Sequence, residues 1–70
     1  MTTLKDAVLK GEARAWGRVS DMVRAKGGRY RDAYETICIL FHKAGHKVPT
    51  LAEFDDKMGE CDDLESGSVR

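Results

Sequence analysis

At 70 residues the chain has room for one domain at most. Hydrophobic residues make up 41% and charged residues 34%, with twelve Lys and Arg against twelve Asp and Glu. That balance excludes a plainly disordered or membrane-spanning chain, and the longest apolar run, Ile37 to Phe41, falls far short of the ~18 residues a membrane helix needs.

The opening, MTTLKDAVLKGEARAW, contains no continuous apolar stretch, so no secretory signal is expected. Without one, Cys38 and Cys61 are expected as reduced thiols in a cytoplasmic protein. Thr3 followed by Asp6 has the form of a helix start. From Leu4 the apolar residues Leu4, Val8, Ala15, Val19, Met22 and Val23 fall at steps of three, four and seven, on one helical stripe. Gly11 and Gly17 interrupt it, each at a cost of about 1 kcal/mol relative to Ala. The spacing therefore predicts a short helix over about 4–10 and a second over about 12–25, ended by Gly27-Gly28 because glycine tolerates the left-handed C′ conformation. Trp16 lies at the edge of this stripe, either half-buried over the core or exposed as an anchor.

Tyr30, Ala33, Tyr34, Ile37, Phe41 and Ala44 then follow helical spacing, with Gly45 as the C′ residue. Ile39 points away from that stripe, as a lone exposed apolar residue or part of a second contact surface. Val48-Pro49 is expected to be extended. Thr50-Leu51-Ala52-Glu53 forms a capping box, starting a helix whose Leu51, Phe54 and Met58 share one face and which Gly59 ends. Residues 60–70 are polar and acidic without period, and are expected to be a flexible tail beyond a domain of residues 1–59. The expected fold is all-α: a small bundle of three to four short helices with a disordered acidic C-terminal tail. Its core is expected from Val8, Ala15, Val19, Met22, Val23 and Tyr30 in the first half. Ala33, Tyr34, Ile37, Leu40, Phe41, Leu51 and Phe54 complete it.

Zero net charge conceals an asymmetry. Residues 1–47 hold ten basic groups against five acidic ones, and residues 48–70 hold seven acids against Lys57 and Arg70. Lys10, Arg14 and Arg18 recur every four residues, and Arg24, Lys26, Arg29 and Arg31 extend the basic region, which Asp21 interrupts. Arg14, Arg18 and Arg24, with Trp16 and Ile39, are the candidate partner-binding residues, since arginine and tryptophan are common interface anchors. Such a patch could also neutralise phosphates. Two helix-turn-helix pairings are available, across Gly27-Gly28-Arg29 or with residues 51–58 as the recognition helix. The first offers few base-reading side chains, and the second exposes Glu53, Asp55 and Asp56.

Cys38, His42, His46 and Cys61 are the residues that most resemble metal ligands. Cys38 and His42 share a helical face, but Gly45 separates His46, and 22 residues between the cysteines match no common zinc spacing. No metal and no cofactor are expected. Phosphate-binding glycine loops are absent from the sequence, and Cys38 with His42 lacks a surrounding oxyanion site, so the chain is not expected to be an enzyme.

The stretch MTTLKDAVLKGEARAWGRVSDMVRAKGGRYRDAYETICILFHKAGHKVPTLAEF is compact, helical and Arg-rich, and a short polar tail follows it. In type it resembles the small phage-encoded proteins that bind and regulate bacterial host machinery such as RNA polymerase. That class has diverse folds, so no residue role is carried over. The resemblance implies a non-enzymatic inhibitor or modulator that works by occupying a protein surface. A cytoplasmic monomer or weak dimer, with no membrane association, is expected independently. The alternative is a small DNA-binding helix-turn-helix-like transcriptional regulator.

Overall fold

The computed structural model describes residues 3–68, with side chains from Thr3 to Leu64. It contains four helices: α1 (Leu4–Leu9), α2 (Ala13–Ala25), α3 (Tyr30–Lys43) and α4 (Leu51–Ser68). Three glycines set the ends of the first three. Gly11, Gly27 and Gly45 have φ of 82°, 90° and 76°, a region that side chains disfavour and glycine enters freely. Each closes a Schellman motif that satisfies carbonyls the helix would otherwise leave open. After α1, the Gly11 amide donates to Val8 O and the Glu12 amide to Ala7 O; after α2, Gly27 donates to Arg24 O and Gly28 to Val23 O. After α3, Gly45 donates to His42 O and His46 to Phe41 O, and the His46 ring meets Phe41 edge-on at 6.3 Å.

The N-termini follow the same local logic. Thr3 Oγ1 accepts from the Asp6 amide at 3.1 Å, and Thr50 Oγ1 from the Glu53 amide at 3.2 Å. At α3 the Asp32 carboxylate accepts from the Arg29 amide at 2.8 Å, a negative group at the positive end of a helix.

Helix α2 is the centre of the bundle. It packs on α3 and on α4, while α1 lies across α2 and α3. Val8, Ala15, Trp16, Val19, Ala33, Ile37 and Phe54 form the buried core, lined at its edges by Leu4, Ala7, Val23, Tyr34, Leu40, Phe41 and Met58. Among the described residues there is no strand, and the all-α bundle stands as expected.

Three expectations are corrected. Met22, Tyr30 and Leu51, expected in the core, are 54%, 41% and 49% exposed. The stripe on α2 is wider than the surface its neighbours cover, so Val19 is buried and Met22 is left outside. Trp16 is only 2% exposed and belongs to the core. Its ring stacks on Phe54 at 6.1 Å, meets Phe41 edge-on at 5.7 Å, and its Nε1–H donates to Val8 O at 2.8 Å. It therefore joins α1, α2, α3 and α4, and is not an exposed anchor.

The third correction concerns the C-terminal segment. Gly59 does not end a helix: α4 continues to Ser68, and Cys61 is buried. A glycine stops a helix when it turns left-handed, and Gly59 does not. Its helical cost of about 1 kcal/mol is outweighed by contacts that Met58 and Cys61 make on α2. The boundary at residue 59 therefore falls inside α4. Residues 69 and 70 of the expected tail lie outside the described residues.

The same contact explains Gly17. It is buried in the middle of α2, and a Cβ there would overlap Cys61 Sγ and stand 3.5 Å from Cys61 Cβ. The missing side chain is what lets α4 approach.

Candidate functional site

The residues that could hold a metal are kept apart. Cys38 faces the chain before α4, its Sγ 3.8 Å from Pro49 O, whereas Cys61 sits against Gly17 on the far helix pair. His42, in the last turn of α3, and His46, beyond its end, are both exposed. Among the described residues, no group of three or more His, Cys, Asp or Glu is placed to hold a metal ion.

The basic residues divide. Arg14 and Arg18 line one hollow between α1 and α2, together with Thr3, Ala7 and Glu12. Arg24 lines another, on the α4 side, where Asp21 and Asp62 also face it. Asp21 thus separates Arg24 from the other two, as its place between them on the helix surface requires. All three arginines are exposed.

Two tyrosines one turn apart tie α3 to the α4 region. The Tyr34 hydroxyl donates to Pro49 O at 2.9 Å, and the Tyr30 hydroxyl donates to Asp55 while its ring meets Phe54 edge-on at 5.0 Å. The Tyr30 pKa is pushed up to about 12, first by partial burial, then by the Asp55 carboxylate that accepts its hydrogen bond, with Asp62 adding to the effect. Tyr34 is raised as well, first by the Cys38 thiol beside it and then by burial. Both remain neutral donors at ordinary pH.

Two further hollows remain. One, of about 400 Å³, lies over Trp16, Phe41 and Pro49, and its wall carries both signs of charge: Lys10, Lys47 and Lys57 against Glu53, Asp56 and Glu60. Lys57 and Glu60 already pair at 3.6 Å. The other, of about 320 Å³, is an apolar groove between α1, α2 and α3. Leu4, Val19, Met22, Val23, Thr36 and Leu40 line it, and among the described residues its charged lining residues are Lys5 and Lys26. Ile39, 52% exposed, stands one helical turn from Thr36 on α3 and is a separate exposed apolar residue outside the lining of this groove.

Sequence reasoning found Ile39 but missed the groove. It assigned Met22 and Leu40 to the core, counted Lys26 only within the basic region of residues 14–31, and gave Lys5 no role. The available signal was the width of the α2 stripe, in which Val19, Met22 and Val23 subtend more surface than one neighbouring helix covers.

No protein-family model matches the chain, and no curated protein or solved structure matches it. Among the described residues, no helix is long and apolar enough to cross a membrane.

Proposed function

We propose that this protein is a non-enzymatic regulator that acts in the cytoplasm by occupying a surface of another protein. Its likeness in type to phage-encoded regulators of bacterial host machinery makes RNA polymerase the first partner to test. The observation that supports this reading is the uncovered apolar surface on α2 and α3, where Met22 and Ile39 are each more than half exposed. A small domain has few apolar side chains with which to build its core, and leaving these outside costs stability unless something else covers them.

The helix-turn-helix alternative fares worse on charge. Helix α4 exposes Glu53, Asp55, Asp56, Asp62 and Asp63, which phosphates would repel. Arg14 and Arg18 remain as exposed charges that would steer an acidic partner.

The test is affinity capture from a bacterial lysate with the full chain, with and without nuclease, the bound proteins being identified by mass spectrometry. A nuclease-resistant, stoichiometric protein partner is expected, reduced by Arg14→Glu with Arg18→Glu. Loss of all binding after nuclease would transfer the assignment to nucleic acid.

A further inference from the structure

We infer that the groove between α1, α2 and α3 receives an amphipathic helix of a protein partner, one whose apolar anchors are flanked by carboxylates. The inference rests on the reading of this chain as a protein-binding regulator and specifies where and how it would bind.

The groove has the character that helix-in-groove recognition needs. Buried Val19 lies between half-buried Leu4, Val23 and Leu40, and exposed Met22 stands at the side. An incoming helix would present its side chains at i, i+3 or i+4, and i+7 to such a surface. Methionine suits the role because its unbranched, polarisable side chain repacks around different shapes.

Charge selects the occupant. Lys5 lies on α1 and Lys26 caps the C-terminal end of α2, and among the described residues no carboxylate lines the groove with them. The chain's own acids are concentrated on α4, which takes no part in this lining. A second copy packed face to face would bring the same lysines to a shared interface, and like charges there oppose association. A lysine-flanked helix meets the same repulsion, whereas an acid-flanked one gains two complementary contacts around a dry centre.

The test uses the full chain and two dye-labelled synthetic peptides of one length, sharing a leucine pattern at i, i+3, i+4 and i+7. One carries glutamates beside the leucines and the other lysines. Fluorescence anisotropy should show the glutamate peptide bound at least about tenfold more tightly than the lysine peptide, a difference that complementary charges at two positions can supply. Lys5→Glu with Lys26→Glu should invert that preference. Met22→Asp should weaken the glutamate peptide about tenfold or more while leaving the circular-dichroism melt unchanged, because residue 22 is already exposed.

Equal binding of both peptides, binding of neither, or a preference unmoved by the lysine reversal would overturn the inference. So would a wild-type dimer in sedimentation that Met22→Asp dissociates, because the groove would then belong to a second copy. A cellular partner retained equally by wild type and Met22→Asp would remove the groove while leaving the regulator reading intact. Failure to capture any protein after nuclease would instead remove the regulator reading.

Discussion

Replacing Gly17 by alanine sets local propensity against tertiary packing, and the two predict opposite signs. In an isolated helix, Gly→Ala at an interior position stabilises by about 1 kcal/mol. In the folded protein the new methyl group would overlap Cys61 Sγ, with Cys61 Cβ only 3.5 Å away. Cys61 is buried and its neighbours hold it in place, so α4 must shift or the thiol must leave its position. Overpacking of this kind costs about 1–3 kcal/mol. Setting the propensity gain against the middle of that range leaves a net destabilisation of about 1 kcal/mol. For a domain of this size that lowers Tm by about 4–8 °C.

A double-mutant cycle isolates the cause. In a Cys61→Ala background the obstructing sulfur is gone, and Gly17→Ala should now stabilise by up to about 1 kcal/mol. The coupling between the two positions is therefore about 2 kcal/mol, well within what directly packed residues show. Urea denaturation followed by circular dichroism, with linear extrapolation, measures all four proteins. If Gly17→Ala stabilises the otherwise unaltered chain, or the two substitutions are additive, α4 does not pack on α2 at Cys61 and the reasoning fails.

Phe54→Ala should cost about 3–5 kcal/mol, because the ring is fully buried beneath Trp16, Tyr30 and Tyr34. That equals most of the net stability expected of so small a core, and the near-ultraviolet signal of Trp16 should collapse with it; a cooperative melt near wild type would contradict the packing. Truncation after Gly59 removes Cys61 from its place against Gly17 and should lower Tm by about 5 °C or more, whereas an unchanged melt would restore the boundary at residue 59. Tyr30 titrates at about 12 in the folded protein against 10.0 for an unperturbed tyrosine. The folded state thus favours the protonated form. This contribution is complete below about pH 10 and is lost as pH rises through about 12. Tyr30→Phe should flatten stability across that interval, and superimposable alkaline profiles would refute the role of Asp55.

Much of the architecture is written locally. Gly11, Gly27 and Gly45 stop helices because each must turn left-handed, a backbone property that spacing after an apolar stripe reveals without any neighbour. Thr3 and Thr50 cap for the same kind of reason, since the hydroxyl reaches an amide three residues on. The stripes on α1, α2 and α3 identified Val8, then Ala15 and Val19, then Ala33 and Ile37 as core, because helical period brings the apolar residues of each helix to one face. Exposed Ile39 was legible in the same way, as the apolar residue off its stripe.

The remainder was decided by which surfaces meet. Gly59 carries the same local signal as Gly45, yet α4 passes through it because Met58 and Cys61 find α2 beyond. Gly17 looks like a weak point in a helix until α4 is laid against it. Trp16 could have faced either way by its position on the wheel; the Val8 carbonyl and the Phe54 ring, from helices before and after it, draw it inside. Met22 is as apolar as Val19 and Val23 but remains outside, because among the described residues no further element covers it. Local propensity acts within a few residues, whereas burial depends on partners far along the chain. For that reason the helices of this protein could be read from its sequence, while its helix-packing contact and its open groove belong to the tertiary structure.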